Sequence, residues 1–179
     1  MSYVLAFTGS NSSTSINYKL LEYTASLLQD EKIGVLNMVD YPFPMYSEDY
    51  EKENGHSNSL VELMNEIRNA KGLIIAVNEH NGYPSAYFKN LLDWLSRVDQ
   101  KFLIDKKIFL MAASPGGRGA VGALEAAEKM LIRFKGEVVE KFSLPNYGQN
   151  FDEKNGIING DLAKSHKEKL NSFSEAISQ

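Results

Sequence analysis

Two hydrophobic rhythms alternate along the chain. Short apolar runs occupy Tyr3–Phe7, Ile33–Val39, Leu73–Val77, Ile108–Ala113 and Val138–Phe142. The runs Leu73–Val77 and Ile108–Ala113 are continuously apolar, which is how strands buried on both faces read. Val138–Phe142 is interrupted by Glu140 and Lys141 and suits a sheet edge. Between the runs, apolar residues recur every three or four positions. The first such stretch carries Ile16, Leu20, Tyr23, Thr24 and Leu27. The second carries Leu60, Met64 and Ile67, with Asn58 or Ser59 near its cap, and the third runs from about Ser85 to Val98. The fourth carries Ala120, Leu124, Ala127, Leu131 and Phe134 and ends near Gly136, read as a C′ glycine. The last carries Leu162, His166, Leu170, Phe173 and Ile177. Strand and helix alternating five times predict an α/β fold, an open parallel sheet with helices on both faces.

Composition narrows this picture. The chain has 179 residues, enough for one domain with a sizeable core, and no domain boundary is visible within 1–179. A net charge of −4, with both signs mixed along the chain, gives no electrostatic footprint for nucleic acid. The chain has no cysteine, which excludes disulfides, thiolate metal sites and cysteine nucleophiles. His56, His80 and His166 show no metal-ligand spacing, so no metal site is expected. The longest apolar runs fall far short of the ~20 residues that span a bilayer, and the N-terminus lacks a signal-peptide pattern. These features lead to the expectation of a cytoplasmic protein without membrane or nucleic-acid partners.

In open parallel sheets, ligands bind beyond the C-terminal strand ends where strand order reverses. Three loops leave those ends, Thr8–Ser15, Asn78–Ser85 and Ser114–Gly119, all rich in Gly, Ser and Asn. The first joins an apolar strand to a helix through hydroxyls, asparagines and a single glycine, without net charge. Such a loop points neutral donors and the N-terminal end of a helix at one spot, which suits a phosphate. The competing reading is an ordinary turn with a Ser/Thr cap. Neither a Gly-Lys-Ser/Thr nor a G-x-G-x-x-G follows the first strand, which leaves a monophosphate held by neutral donors. The segment Asp40–Asn54, with Tyr41, Phe43, Tyr46 and Tyr50, is too long and aromatic for a simple connector.

The second loop and the helix after it read Asn78-Glu79-His80-Asn81-Gly82-Tyr83-Pro84-Ser85-Ala86-Tyr87-Phe88-Lys89-Asn90-Leu91-Leu92-Asp93-Trp94. This stretch resembles the P-E-Y-N-x-S-x-P-x-x-L-K-N-x-x-D-W signature of the NADPH-dependent FMN reductases of the flavodoxin-like superfamily. Glu79, Asn81, Lys89, Asn90, Asp93 and Trp94 match it in register. The family's G-S-x-R-x-x-S-x-N phosphate loop is matched by Gly9, Ser10, Ser15 and Asn17. The departures are Asn78 for proline, His80 for tyrosine, Pro84 shifted by one, and Ser12 for the phosphate-loop arginine.

The resemblance implies a single flavodoxin-like FMN-binding domain over 1–179. Its fold would be a three-layer sandwich with a five-stranded parallel sheet of order 2-1-3-4-5. It implies non-covalent FMN with its phosphate on the first loop, at Gly9, Ser10, Ser12, Ser15, Ile16 and Asn17. The ring would lie between Glu79, His80, Asn81 and Gly82 of the second loop and Ser114, Gly116 and Gly117 of the third. His80 would pack on the ring. Arg118 would lie in solvent or reach a nicotinamide-nucleotide phosphate. The implied reaction is ping-pong, from NADPH or NADH through the flavin to a small acceptor: a quinone, an azo compound, free flavin or a metal ion. The flavin carries the chemistry, so no catalytic side chain is expected. The rivals are a flavodoxin-type electron carrier and a phosphate-binding regulatory module without flavin.

The third helix adds a separate expectation. Phe88, Leu91, Leu92 and Leu95 form one stripe, and Tyr87, Trp94 and Val98 widen it to an arc of about 160°, where a surface helix needs about 100°. Either a neighbouring loop covers the excess, or a partner subunit does. The second reading predicts a homodimer or dimer of dimers.

Overall fold

Successive residues of the central strands point to opposite faces, and both faces are buried. The computed structural model describes residues 3–29 and 31–178. Strand β1 (Tyr3–Thr8) leads to helix α1 (Ile16–Ser26) and strand β2 (Ile33–Val35). A strap follows, with a 3-10 turn at Met38–Asp40 and helix α2 (Glu48–Asn54). Helix α3 (Asn58–Asn69) then enters strand β3 (Ala70–Ala76), and a small hairpin, β4 (Glu79–His80) with β5 (Tyr83–Pro84), precedes helix α4 (Ala86–Val98). Strand β6 (Lys107–Ala113), helix α5 (Val121–Arg133) and strand β7 (Glu137–Leu144) complete the sheet. The short helix α6 (Tyr147–Asn150), hairpin β8 (Phe151–Asp152) with β9 (Gly156–Ile157), and helix α7 (Gly160–Ser178) close the chain.

The main sheet has five strands in the order β2-β1-β3-β6-β7, all pairs parallel. Counted along this sheet, that is the expected 2-1-3-4-5 order. Leu5, Phe7, Leu73, Ile75, Ile108 and Leu110 face a core built with α3, α4 and α5. Val4, Ala6, Ile74, Ala76, Phe109 and Met111 face the opposite core, built with α1 and α7. Strict alternation within runs that are apolar throughout is what puts a helical layer on each side.

Among the boundaries that differ from the sequence expectation, three have a local cause. The run Ile33–Val39 is a strand only to Val35, because Asn37 Oδ1 accepts the Val39 N–H at 3.2 Å and turns the backbone into the 3-10 segment. The α3 cap is Ser57, whose hydroxyl accepts the Leu60 N–H. At the end of α5 the left-handed residue is Lys135, with φ 74°, and Gly136 donates its N–H to Leu131 O at 3.0 Å. Gly136 is thus one position beyond C′ in a Schellman-type ending. A Cβ there would lie 2.7 Å from Ile108 Cδ1, so packing on β6 accounts for the glycine.

The wide apolar arc of α4 is covered within the chain. Trp94 is 2% exposed. Its Nε1–H donates to Pro44 O at 2.7 Å, and Tyr46 and Tyr50 meet its ring edge-on at 5.1 and 6.0 Å. Asn90 clamps the same strap, accepting the Tyr46 N–H at 2.7 Å and donating to Pro44 O at 3.0 Å. Tyr87 donates its hydroxyl to Tyr41 O at 2.9 Å. The aromatic segment 41–50 is therefore the lid of this core, and the arc supplies no argument for a partner subunit.

Candidate functional site

Strand order reverses between β1 and β3, and the loops leaving β1, β3 and β6 meet at that point. They enclose an open cleft of about 520 Å³. Ser10, Asn11, Ser12, Ser15, Ile16 and Asn17 line it from the first loop and the start of α1. Asn78, Glu79 and His80 line it from the second loop, Ser85, Ala86 and Tyr87 from the start of α4, and Ala113, Ser114 and Pro115 from the end of β6. None of these lining residues is a lysine or arginine.

The first loop is held by its own hydroxyls. Thr8 Oγ1 donates to Ser10 O at 2.8 Å, the Ser12 N–H donates to Ser10 Oγ, and the Thr14 N–H to Ser12 Oγ. Ser15 caps α1, its hydroxyl accepting the Tyr18 N–H at 3.2 Å. Among the described residues, the N–H groups of Ile16 and Asn17 in the first helical turn have no acceptor. Gly9 plays a different part. A Cβ there would lie 2.9 Å from Phe88 Cδ2, so its lack of a side chain lets the loop press on α4. Ser85 completes that junction, donating to Gly9 O at 2.6 Å while capping α4 through the Phe88 N–H.

In the second loop Asn81 and Gly82 have φ of 53° and 81° and form the two-residue tip of the β4–β5 hairpin. Both positive angles fit the Asn-Gly pairing of a type I′ turn. The tip lies outside the cleft lining, and Glu79 and His80 are the residues the hairpin turns inward. Glu79 Oε2 accepts the Ala123 N–H at 3.1 Å, a carboxylate at the positive end of α5. Gly122 makes this approach possible, since a Cβ there would lie 2.5 Å from Gly82 O. The His80 ring nitrogen Nε2 pairs with Asn78 Nδ2 at 3.0 Å. Asn78 Oδ1 is buried without a hydrogen-bond partner among the described residues.

In the third loop Ser114 lines the cleft and accepts the Gly116 N–H on its hydroxyl at 3.1 Å. Gly116 and Gly117 are exposed and lie outside the lining, and a Cβ on either would meet nothing closer than 3.6 Å. The steric demand falls on Gly119 instead, where a Cβ would overlap Ser143 Oγ. Arg118 is exposed. Asn17 is 2% exposed and spends both ends of its amide on Ala113, accepting the N–H at 2.7 Å and donating to the carbonyl at 3.2 Å.

Sequence reasoning missed Asn11, Asn78, Ser85, Ala86, Tyr87, Ala113 and Pro115 as lining residues. Ser85 carried a signal, standing three positions before Phe88 at the start of an apolar stripe. Tyr87 carried none, because its place depends on the strap that binds its hydroxyl. Burial, with Tyr41 alongside, pushes the Tyr87 phenol above its ordinary range, so it stays a neutral donor.

Residues 2–149 match the profile of the NADPH-dependent FMN reductases. The chain belongs to this family. It is 31% identical over 148 residues to an uncharacterised protein of Mycoplasma pneumoniae, an alignment covering 79% of this chain and 86% of that one. It is 27% identical over 120 residues to a quinone reductase of Escherichia coli, covering 62% of this chain and 64% of that protein, just under two thirds of its length. In fold it is similar to the flavoenzyme NAD(P)H:(acceptor) oxidoreductase FerB of Paracoccus denitrificans, with a TM-score of 0.80 and 22% identity over 99% of this chain and 98% of that one. The chain is thus an oxidoreductase of a family that uses FMN and a reduced nicotinamide nucleotide.

The cleft fits such a cofactor. Its donors are neutral hydroxyls and two free N–H groups at a helix start, which is sufficient for a phosphate without a cation. Its volume falls within the ordinary range of small-molecule sites. Asn78, whose buried Oδ1 has no hydrogen-bond partner among the described residues, belongs to its wall. Among the described residues no group of three or more His, Asp or Glu side chains is placed to hold a metal, and no helix is long and apolar enough to cross a membrane.

Proposed function

We propose that the cleft binds FMN non-covalently and that the protein passes reducing equivalents from NAD(P)H to a small acceptor in two half-reactions at one open site. The observation that carries this reading is the convergence of the Ser10–Asn17 loop, the free N–H groups of Ile16 and Asn17, and two further loops at the reversal of strand order. The phosphate is assigned to the first loop, with Ser10, Ser12 and the α1 start as donors. The ring is assigned to the space between Asn78–His80 and Ser114–Pro115. FMN bound there would supply hydride acceptance from the reductant and donation to the acceptor. The chain's part is to bind, orient and hold. Ser85 fixes the first loop on α4, Glu79 fixes the hairpin on α5, and Asn78 and His80 shape the wall beside the ring. A quinone is the acceptor class that the quinone reductase relative supports.

The purified protein should show the visible absorption of an oxidised flavin, or acquire it on incubation with FMN. Fluorescence-quenching titrations should give tighter binding of FMN than of riboflavin, by about tenfold or more, because the phosphate contributes. NAD(P)H should be oxidised steadily with a quinone present. Equal affinities for the two flavins would remove the phosphate from the first loop. FMN binding without NAD(P)H oxidation would return the protein to the electron carriers.

A further inference from the structure

Asn17 matches the family's phosphate-loop asparagine, and both ends of its amide are already engaged within the chain. Its oxygen accepts the Ala113 N–H at 2.7 Å, its nitrogen donates to Ala113 O at 3.2 Å, and the residue is 2% exposed. The two bonds are made across different elements. Asn17 sits in the first turn of α1, beside the free N–H groups assigned to the phosphate. Ala113 is the last residue of β6, and Ser114 leaves it directly into the third loop, assigned to the ring. Backbone N–H and C=O of one residue are thus both fixed by one side chain.

We propose that Asn17 is a positioning residue, a strut that sets the phosphate site and the ring site of the cleft at one fixed spacing. The proposal rests on the FMN reading above. The physical reason is preorganisation. A ligand that engages two subsites gains from the second only if the spacing is already set; otherwise ordering that spacing consumes the gain. FMN reaches both subsites, whereas riboflavin lacks the phosphate and reaches only the second. Loss of the strut therefore weakens FMN more than riboflavin.

The fold supplies a matched control. Asn90 makes the same two-ended amide clamp, on the strap, accepting the Tyr46 N–H at 2.7 Å and donating to Pro44 O at 3.0 Å, and does not line the cleft. The test compares Asn17→Leu and Asn90→Leu with wild type. Dissociation constants of FMN and riboflavin are measured by fluorescence quenching, and folding by circular dichroism and thermal unfolding. Both variants should lower the unfolding temperature. Only Asn17→Leu should lower the ratio of riboflavin to FMN dissociation constants, by about tenfold. If Asn17→Leu does not fold, Asn17→Ser, shorter and polar, carries the same measurement. An unchanged ratio in a folded Asn17 variant overturns the proposal, and so does an equal fall of the ratio in Asn90→Leu. If wild type itself binds both flavins equally, or neither, the FMN reading has failed, and the strut falls with it. That outcome is recognised in the wild type alone.

Discussion

Acid should destabilise this protein through one buried ring. His166 on α7 is 1% exposed and lies among Phe142, Tyr23 and Phe109, with centroids at 4.8, 5.8 and 5.9 Å. Its Nε2 is 2.9 Å from Thr24 Oγ1. That hydroxyl donates its own proton to Leu20 O at 2.8 Å, so the ring nitrogen is the donor. Burial lowers the pKa from 6.5 to about 4. The unfolded chain takes up the proton near 6.5, while the folded chain refuses it until about 4. Stability from this group is therefore complete above 6.5 and is lost as the pH falls toward 4. The full gap corresponds to about 3 kcal/mol, of which about 2 kcal/mol disappears between pH 7.5 and 5. Urea unfolding, followed by the fluorescence of the single tryptophan, Trp94, measures this at both pH values in wild type and His166→Gln. The variant starts less stable at pH 7.5, and its loss on acidification should be smaller than wild type's by about 2 kcal/mol. Contributions from the groups common to both proteins cancel in the comparison. Parallel losses in the two proteins would refute the reasoning.

Two further outcomes follow from packing. Trp94→Phe removes the hydrogen bond to Pro44 and should lower unfolding stability by about 1 kcal/mol by circular dichroism, with no change of mass by light scattering; a change of mass without a loss of stability would assign this face to a partner subunit instead. Gly122→Ala places a Cβ 2.5 Å from Gly82 O, so the hairpin must shift away from α5, at a cost of about 1–3 kcal/mol, and FMN affinity should fall; unchanged stability and affinity would show that the hairpin moves freely.

The alternation of apolar runs with helical periodicity specified the layers, because a strand buried on both faces and a helix buried on one leave different marks on a chain. The position of the cleft was legible for the same reason, since ligands collect at strand C-termini where order reverses. Ser10, Ser12, Ser15, Glu79, His80 and Ser114 all lie there. The tasks of individual residues were not legible. The one-dimensional pattern shows an asparagine at position 17 but not its partner, and only the arrival of Ala113, far along the chain, engages both ends of its amide. Gly116 and Gly117 stood out by adjacency, but the close approaches fall on Gly119 and Gly122, because proximity to Ser143 and to Gly82 is a property of the assembled fold. The arc of α4 is a similar case. Helical spacing shows that Tyr87 and Trp94 need cover, but periodicity is blind to its source. The tertiary structure supplies it from residues 41–50, through bonds to Tyr41 and Pro44 that span more than forty positions.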